Sequence, residues 1–339
     1  MSRLVEQVPP GKAVKGALVV GQRAGGEEIS IIYHILRGLN PGPTVWFNGA
    51  IHGDELNGPI ALLQLSQKLQ PEQISGTIIL TPVSNPLAFA ARQKNTPHDL
   101  LDLDQQFPGD PEGTLSQRIA YQLFHVFGTA ADYIVDSHTV GHDYFGQPYT
   151  VTKKIRQDLQ PAFEQAQKLA EIFGGAFHCS LDFSENLNEV PGNVYGFLDV
   201  QAQLQGKVAF MVELGAGGIH QPDAVRFALE GYQRLLVDLK LLSSKKNPPA
   251  SKLPAISIKK RYYLYANTAG FLTFSVQAGD FVKKGTLLAE VTDLYGQKTA
   301  YRAMHDAFVL INRNNAVVET GDRLFFLGES WNDANGGKK

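Results

Sequence analysis

The chain has 339 residues, 43% of them hydrophobic, and a formal charge of −2. That is enough for a large cored domain with an appendage, and it excludes a fibrous or disordered protein. No long basic run is present and no run reaches about 18 apolar residues, so neither nucleic acid nor a membrane is expected as a partner.

In chain order, Leu18 to Val20 and Ile29 to Leu36 are predicted strands around a Gly25-Gly26 turn, and Thr44 to Asn48 is a short buried-type strand. Pro59 to Leu69 has helical spacing, Gly76 to Pro82 is a strand, and Asn85-Pro86 breaks the pattern. Leu115 to Phe127 is an expected amphipathic helix, Ala131 to Asp136 a buried strand, and Pro161 to Phe173 a helix stopped by Gly174-Gly175. Val208 to Val212 is a strand, and Pro222 to Leu242 a long helix. Strands alternating with helices predict an α/β fold, a mixed sheet with helices on both faces, over residues 1–243. A polar, proline-bearing linker follows over 244–255. Short strands separated by Gly-Asp and Lys-Gly turns then predict a small all-β barrel-sandwich domain over 256–330, ahead of a flexible tail, 331–339. The single cysteine, Cys179, rules out an intrachain disulfide. With an N-terminus that lacks an apolar signal core, it sets the expectation of a cytoplasmic protein, and a homo-oligomer is compatible with the chain.

The chemistry-bearing residues fall at strand ends. In Gly49-Ala50-Ile51-His52-Gly53-Asp54-Glu55, an imidazole and a carboxylate stand three apart where a strand hands over to a helix. If that turn is helical, both face one point. His138 follows the strand Tyr133-Ile134-Val135-Asp136, and Glu213 closes Phe210-Met211-Val212. In open α/β sheets ligands bind at the carboxyl ends of strands. Two histidines and a carboxylate, His52, Glu55 and His138, make a three-ligand set for one Zn(2+) per chain with a position left for water. Glu213 is then the free carboxylate that takes the proton, and Asp136 the group that orients the other ring nitrogen of His138.

These segments, with Asn85-Pro86 and Arg92 between them, resemble the succinylglutamate desuccinylase/aspartoacylase family of the zinc carboxypeptidase clan. The resemblance covers roughly residues 10–240 and extends to the β-domain. It implies a zinc carboxypeptidase-like fold and a zinc-dependent amidohydrolase that deacylates a small N-acyl amine or N-acyl amino acid. Implied too are His52, Glu55 and His138 as ligands, Glu213 as general base and Arg92 as the cation that steadies the oxyanion. Asn85 is implied at the substrate. Two alternatives are a carboxypeptidase-like peptidase of the same clan and a zinc-containing non-catalytic binding protein.

One segment departs from the family. Before Phe107-Pro108-Gly109 the family carries Asp-Leu-Asn-Arg, whose last two residues grip a substrate carboxylate. Here the frame is Asp102-Leu103-Asp104-Gln105. An Asp and a Gln cannot make the cationic fork a carboxylate prefers. Either Asp104 faces a neutral or cationic group, or another cation (Lys94, Arg156 or Lys153) holds the carboxylate. Asn193, Tyr195 and Glu189 are candidates for the acyl pocket. The β-domain resembles biotinyl/lipoyl carriers, but its hairpin Ala303-Met304-His305-Asp306 has no lysine to modify. A lid, or an interface narrowing access to the zinc, is the expectation.

Overall fold

A computed structural model describes residues 3–184, 192–249 and 256–332. Glu189, positions 250–255 of the expected linker and 333–339 of the expected tail lie outside them. The strands are β1 (Lys12–Gln22), β2 (Glu28–Arg37), β3 (Asn40–Gly49), β4 (Ser75–Thr81), β5 (Tyr133–His138), β6 (Tyr144–Gly146), β7 (Tyr149–Lys154), β8 (His178–Asp182) and β9 (Val208–Glu213). The C-terminal region adds β10 (Ser257–Tyr265), β11 (Gly270–Phe274), β12 (Phe281–Val282), β13 (Leu287–Thr292), β14 (Lys298–Arg302), β15 (Ala307–Arg313), β16 (Val317–Val318) and β17 (Arg323–Asn332). The helices are α1 (Arg3–Glu6), α2 (Asn57–Lys68), α3 (Pro86–Ala91), α4 (Leu115–Leu123), α5 (Gln160–Phe173), α6 (Leu198–Leu204) and α7 (Pro222–Asp238).

Strand periodicity explains the layering. Val45, Phe47, Ile78, Leu80, Val135 and Phe210 point to one face, where α2, α5 and α7 cover them. Their neighbours Trp46, Ile79, Ile134 and Ala209 point to the other, under α1, α4 and α6. Both faces are therefore buried, which is why these strands are continuous apolar runs. Each fully buried large side chain, such as Trp46 or Phe47, contributes on the order of 2 kcal/mol through area removed from water. β4, β3, β5 and β9 are adjacent and parallel, with Gly49 opposite Ser137 and His138 opposite Glu213. The chain passes from β3 to β4 on one side and later to β5 on the other, so the strand order reverses beside β3. A crevice opens at the carboxyl ends of such strands, and three of those ends carry the expected site residues.

The C-terminal strands form two layers. β14, β13, β11 and β16 make a small separate sheet, while β10, β17, β15 and β12 extend the large one. The junction is β8 with β10, parallel at Ser257–His178 and Ile258–Cys179, and β6 also pairs with β15. Val151, Cys179 and Leu181 share a core with Ile258, Ile311 and Phe326, so the appended region is packed as well as hydrogen-bonded to the hydrolase-like part. No helix among the described residues is long and apolar enough to cross a membrane.

Three local departures have physical causes. The helix expected to reach Phe127 ends at Leu123 and widens into a turn over Phe124–Gly128, closed by Thr129 N donating to Phe124 O at 2.9 Å. The long last helix ends at Asp238, because Lys240 takes φ 62 and the Leu241 and Leu242 amides fold back onto Leu236 O. β7 is buried throughout although it ends in two lysines: Lys153 pairs with Asp199 and Lys154 with Asp182.

His178, on β8, lies between the hydroxyls of Thr150 and Thr152, at 2.9 and 3.0 Å. Burial, and then the charge of Lys259, pulls its pKa down to about 3. The unfolded chain takes up a proton near pH 6.5 and the folded one does not. The stability term is therefore complete above pH 6.5 and is lost as pH falls towards 3. At pH 5 the loss is on the order of 2 kcal/mol. Thermal unfolding of His178→Asn is accordingly expected to show a shallower fall of Tm between pH 7 and 5 than the parent; an equal fall would place the acid sensitivity elsewhere.

Candidate metal centre and hydrolytic cavity

The turn after β3 is fixed by backbone contacts. Ser84 and Asn85 amides donate to Gly49 and Ala50 carbonyls, and the Gly53 amide donates to Gln93 O, each at 3.0 Å. A Cβ on Gly53 would stand 1.9 Å from the Ala88 carbonyl carbon, so the close approach requires glycine. The turn is not helical: α2 begins only at Asn57. His52 and Glu55 instead converge through a single turn in which Glu55 N donates to His52 O. The Asn57 side chain ties the start of α2 to the loop after β9, donating to Leu214 O at 2.8 Å and accepting from Gln221 N at 2.9 Å.

His52, Glu55 and His138 are all buried and come together. His52 Nδ1 is 2.9 Å from Glu55 Oε1, His138 Nδ1 is 3.1 Å from Glu55 Oε2, and the two Nδ1 atoms are 3.3 Å apart. Tetrahedral coordination with bonds near 2.0–2.1 Å sets ligand atoms about 3.3 Å from one another. Taking one atom from each residue, the three lie within 4.8 Å of one another, near enough for a single ion to reach all of them. Glu55 Oε2 lacks hydrogen-bond geometry towards His138 despite the short distance, as expected where both atoms aim at a shared cation. The outer nitrogens are also held: His52 Nε2 is 2.9 Å from Asp102 Oδ1, and His138 Nε2 is 3.0 Å from Asp136 Oδ2. Carboxylates there fix the ring orientation and strengthen the inner nitrogen as a donor. Burial opposes charge on His52, but Glu55 and Asp102 push it up to about 9; Glu55 is drawn down to about 2 by the two histidines against the same burial. The cluster's surroundings therefore favour positive charge at its centre. The donor set, its spacing and its supports fit a zinc ion.

The cluster opens into a cavity of about 710 Å³. Glu213 lines it beside His138. Glu213 Oε2, Thr139 Oγ1 and Asp54 Oδ1 are buried without hydrogen-bond partners among the described residues. Burial, and then the charge of Glu55, pushes Glu213 up to about 7. Such a carboxyl can both accept and return a proton near neutral pH.

Of the other expected residues, Asp136 is in place and also accepts from Asn48 Nδ2 at 2.8 Å. Asp104 lines the cavity and is 6% exposed. Gln105 sits on the wall as a loop anchor: its Oε1 accepts from Asn193 N at 3.0 Å. Two expected residues stand outside the cavity's lining. Asn85 does not line the cavity; it is fully buried, donates to Thr96 Oγ1 at 2.9 Å and accepts from Ala88 N at 3.1 Å as the cap of α3. Arg92 does not line it either: it ends α3 at φ 56 with its side chain exposed. The cation that does reach the cavity from this segment is Lys94, 2.8 Å from Asp102 Oδ2. Lys153 also lines it, whereas Arg156 and His98 do not, and His142 does. Sequence reasoning missed Asp102 as the support of His52, although it stands in the quoted frame. It also missed Tyr149, which stands opposite Glu213, and the wall contributed from the C-terminal region by Arg261, Tyr263, Arg323 and Phe326.

Comparison with known proteins gives one family and several relatives. The succinylglutamate desuccinylase/aspartoacylase catalytic domain matches residues 41–239. The chain is 27% identical over 292 residues to an N-alpha-acetyl-L-2,4-diaminobutyric acid deacetylase of Halomonas elongata, covering 85% of this chain and 82% of that one. Among solved structures, a succinylglutamate desuccinylase/aspartoacylase from Rhodobacter sphaeroides superposes with a TM-score of 0.83 at 24% identity, over 95% of this chain and 96% of that one. The product-bound ectoine utilization protein EutE (DoeB) from Ruegeria pomeroyi does so with a TM-score of 0.83 at 24% identity, over 95% and 97%.

Proposed function

The chain belongs to the succinylglutamate desuccinylase/aspartoacylase family, and from that membership we propose that it is a zinc-dependent amidohydrolase that removes the acyl group from a small N-acyl amine or N-acyl amino acid. The observation that carries the proposal is the convergence of His52, Glu55 and His138 next to a buried, unpartnered Glu213 oxygen. His52, Glu55 and His138 would hold the ion. When bound, zinc supplies Lewis acidity, polarising a carbonyl and acidifying water.

Glu213 accepts the proton of the attacking water and returns it to the departing amine nitrogen. Its burial keeps water from competing for that proton. Asp102 and Asp136 hold the imidazoles in the one orientation that leaves both Nδ1 atoms facing inward. Of the two cations in this segment, Lys94 lines the cavity and Arg92 does not, so Lys94 is the one assigned to the developing oxyanion. Accordingly, Lys94→Ala is expected to lower kcat about 100-fold, while Arg92→Ala leaves it unchanged. Steady-state kinetics of the two variants check this, and a larger loss in Arg92→Ala would return the role to the arginine.

The relative from Halomonas elongata is named for N-alpha-acetyl-2,4-diaminobutyrate, which makes that compound the first probe. Release of acetate and diaminobutyrate by the zinc-loaded protein, abolished by chelation, is the test of the hydrolase reading.

A further inference from the structure

We infer that the cavity is polarised to receive a zwitterion: Asp104 takes a substrate ammonium and Arg323 of the appended β-region takes a carboxylate, which selects mono-N-acyl diamino acids. The inference rests on the hydrolase reading above and adds the residues that choose the substrate.

Asp104 is held in a short turn, with its amide bonded to Asp102 Oδ1 at 3.1 Å, and is 6% exposed on the cavity wall. Among the described residues no hydrogen bond or ion pair reaches its carboxylate. The cationic groups whose charges act on it are His138, which faces Glu55 and Asp136, and Lys153, which is committed to both oxygens of Asp199 at 2.9 and 3.0 Å. A buried carboxylate without a partner is costly, and an ammonium with three donors offsets that cost. A second metal ion is a poorer occupant. Asp136 and His138 lie nearby, but Asp136 already receives Asn48 on one oxygen and His138 Nε2 on the other. Only Asp104 would be free to bind it.

The part of the cavity wall that comes from the C-terminal region carries the complementary charge. The Arg323 guanidinium lies 4.2 Å from the Tyr144 ring centroid and 5.3 Å from that of Tyr263. It has no ion pair among the described residues, because the neighbouring Asp322 and Asp143 face Arg313 at 3.1 and 4.0 Å. A guanidinium fixed between two rings is preorganised for two-point contact with a carboxylate. Arg261, over the Phe326 ring at 4.7 Å, adds positive charge on the same wall. Tyr149 stands opposite Glu213 and lines the same cavity. The β-region is thus part of the substrate site, and the carboxylate grip lost at Asp104-Gln105 is supplied from it.

The test uses zinc-loaded full-length protein and three probes: N-alpha-acetyl-2,4-diaminobutyrate, N-acetyl-2-aminobutyrate, which lacks the ammonium, and N-acetyl-1,3-diaminopropane, which lacks the carboxylate. The diaminobutyrate probe is expected to have the highest kcat/KM. Asp104→Asn should lose roughly 30-fold or more on both amine-bearing probes and nothing on N-acetyl-2-aminobutyrate; Arg323→Gln should lose a similar factor on the two carboxylate probes only. Calorimetric binding of 2,4-diaminobutyrate and 2-aminobutyrate gives a readout independent of turnover, with the same pattern expected in Kd. Zinc content confirms that the variants are folded. Equal losses across all probes, or no preference for the diamino compound in binding, would overturn the inference. If no probe is hydrolysed but the Kd pattern holds, the hydrolase reading fails and the zwitterion site stands.

Discussion

Replacing Glu213 by glutamine is expected to lower kcat by about 1,000-fold, within the range a positioned general base contributes, while one zinc per chain remains bound. The change is nearly isosteric and removes only the proton acceptor. Glu213 is the last residue of β9, buried, with an oxygen that nothing among the described residues satisfies. Its neighbour across the sheet, His138, does not depend on it for a hydrogen bond. Stopped assays at saturating probe, with metal analysis of the same sample, separate the two effects. Turnover within tenfold of the parent would remove Glu213 from the base role; loss of zinc alongside activity would make it a structural residue.

The second large effect is expected at the inner ligands and their supports. His138→Ala should abolish stoichiometric zinc and with it all measurable turnover, because two remaining ligands do not complete the site. Asp136→Asn is the more informative change. It preserves the volume and the acceptor oxygen but removes the charge that polarises His138 Nε2–H at 3.0 Å. Zinc affinity is expected to fall about 10- to 100-fold, read by competition with a chromophoric chelator. Unchanged affinity would mean that Asp136 serves only the buried network of Asn48, Thr81 and Ser84.

The metal end of the site was legible because its residues lie next to strands that are apolar on both faces. Thr44 to Asn48, Tyr133 to Val135 and Phe210 to Val212 announce themselves by composition, so His52, His138 and Glu213 could be placed at their ends. The other end was not legible. β7 was missed because Lys153 and Lys154 look solvated until Asp199 and Asp182 are seen to pair with them. Arg92 and Lys94 stand two residues apart, and the left-handed residue Arg92, which puts Lys94 and not Arg92 at the rim of the cavity, is a backbone choice with no local signature. Asn85 looked like a contact residue, but a helix cap uses the same chemistry. Arg261 and Arg323 stand 48 and 110 residues beyond the end of β9, and the β8–β10 and β6–β15 pairings bring them to the cavity.

His52, Glu55 and His138 are expected to hold the single ion on which amide hydrolysis depends. Titrating chelator-stripped protein with zinc while following acetate release from N-alpha-acetyl-2,4-diaminobutyrate tests it most directly. No turnover is expected at the start, then a linear rise and a plateau at one equivalent per chain. Full turnover by the stripped protein, or a plateau that survives loss of His138, would contradict it.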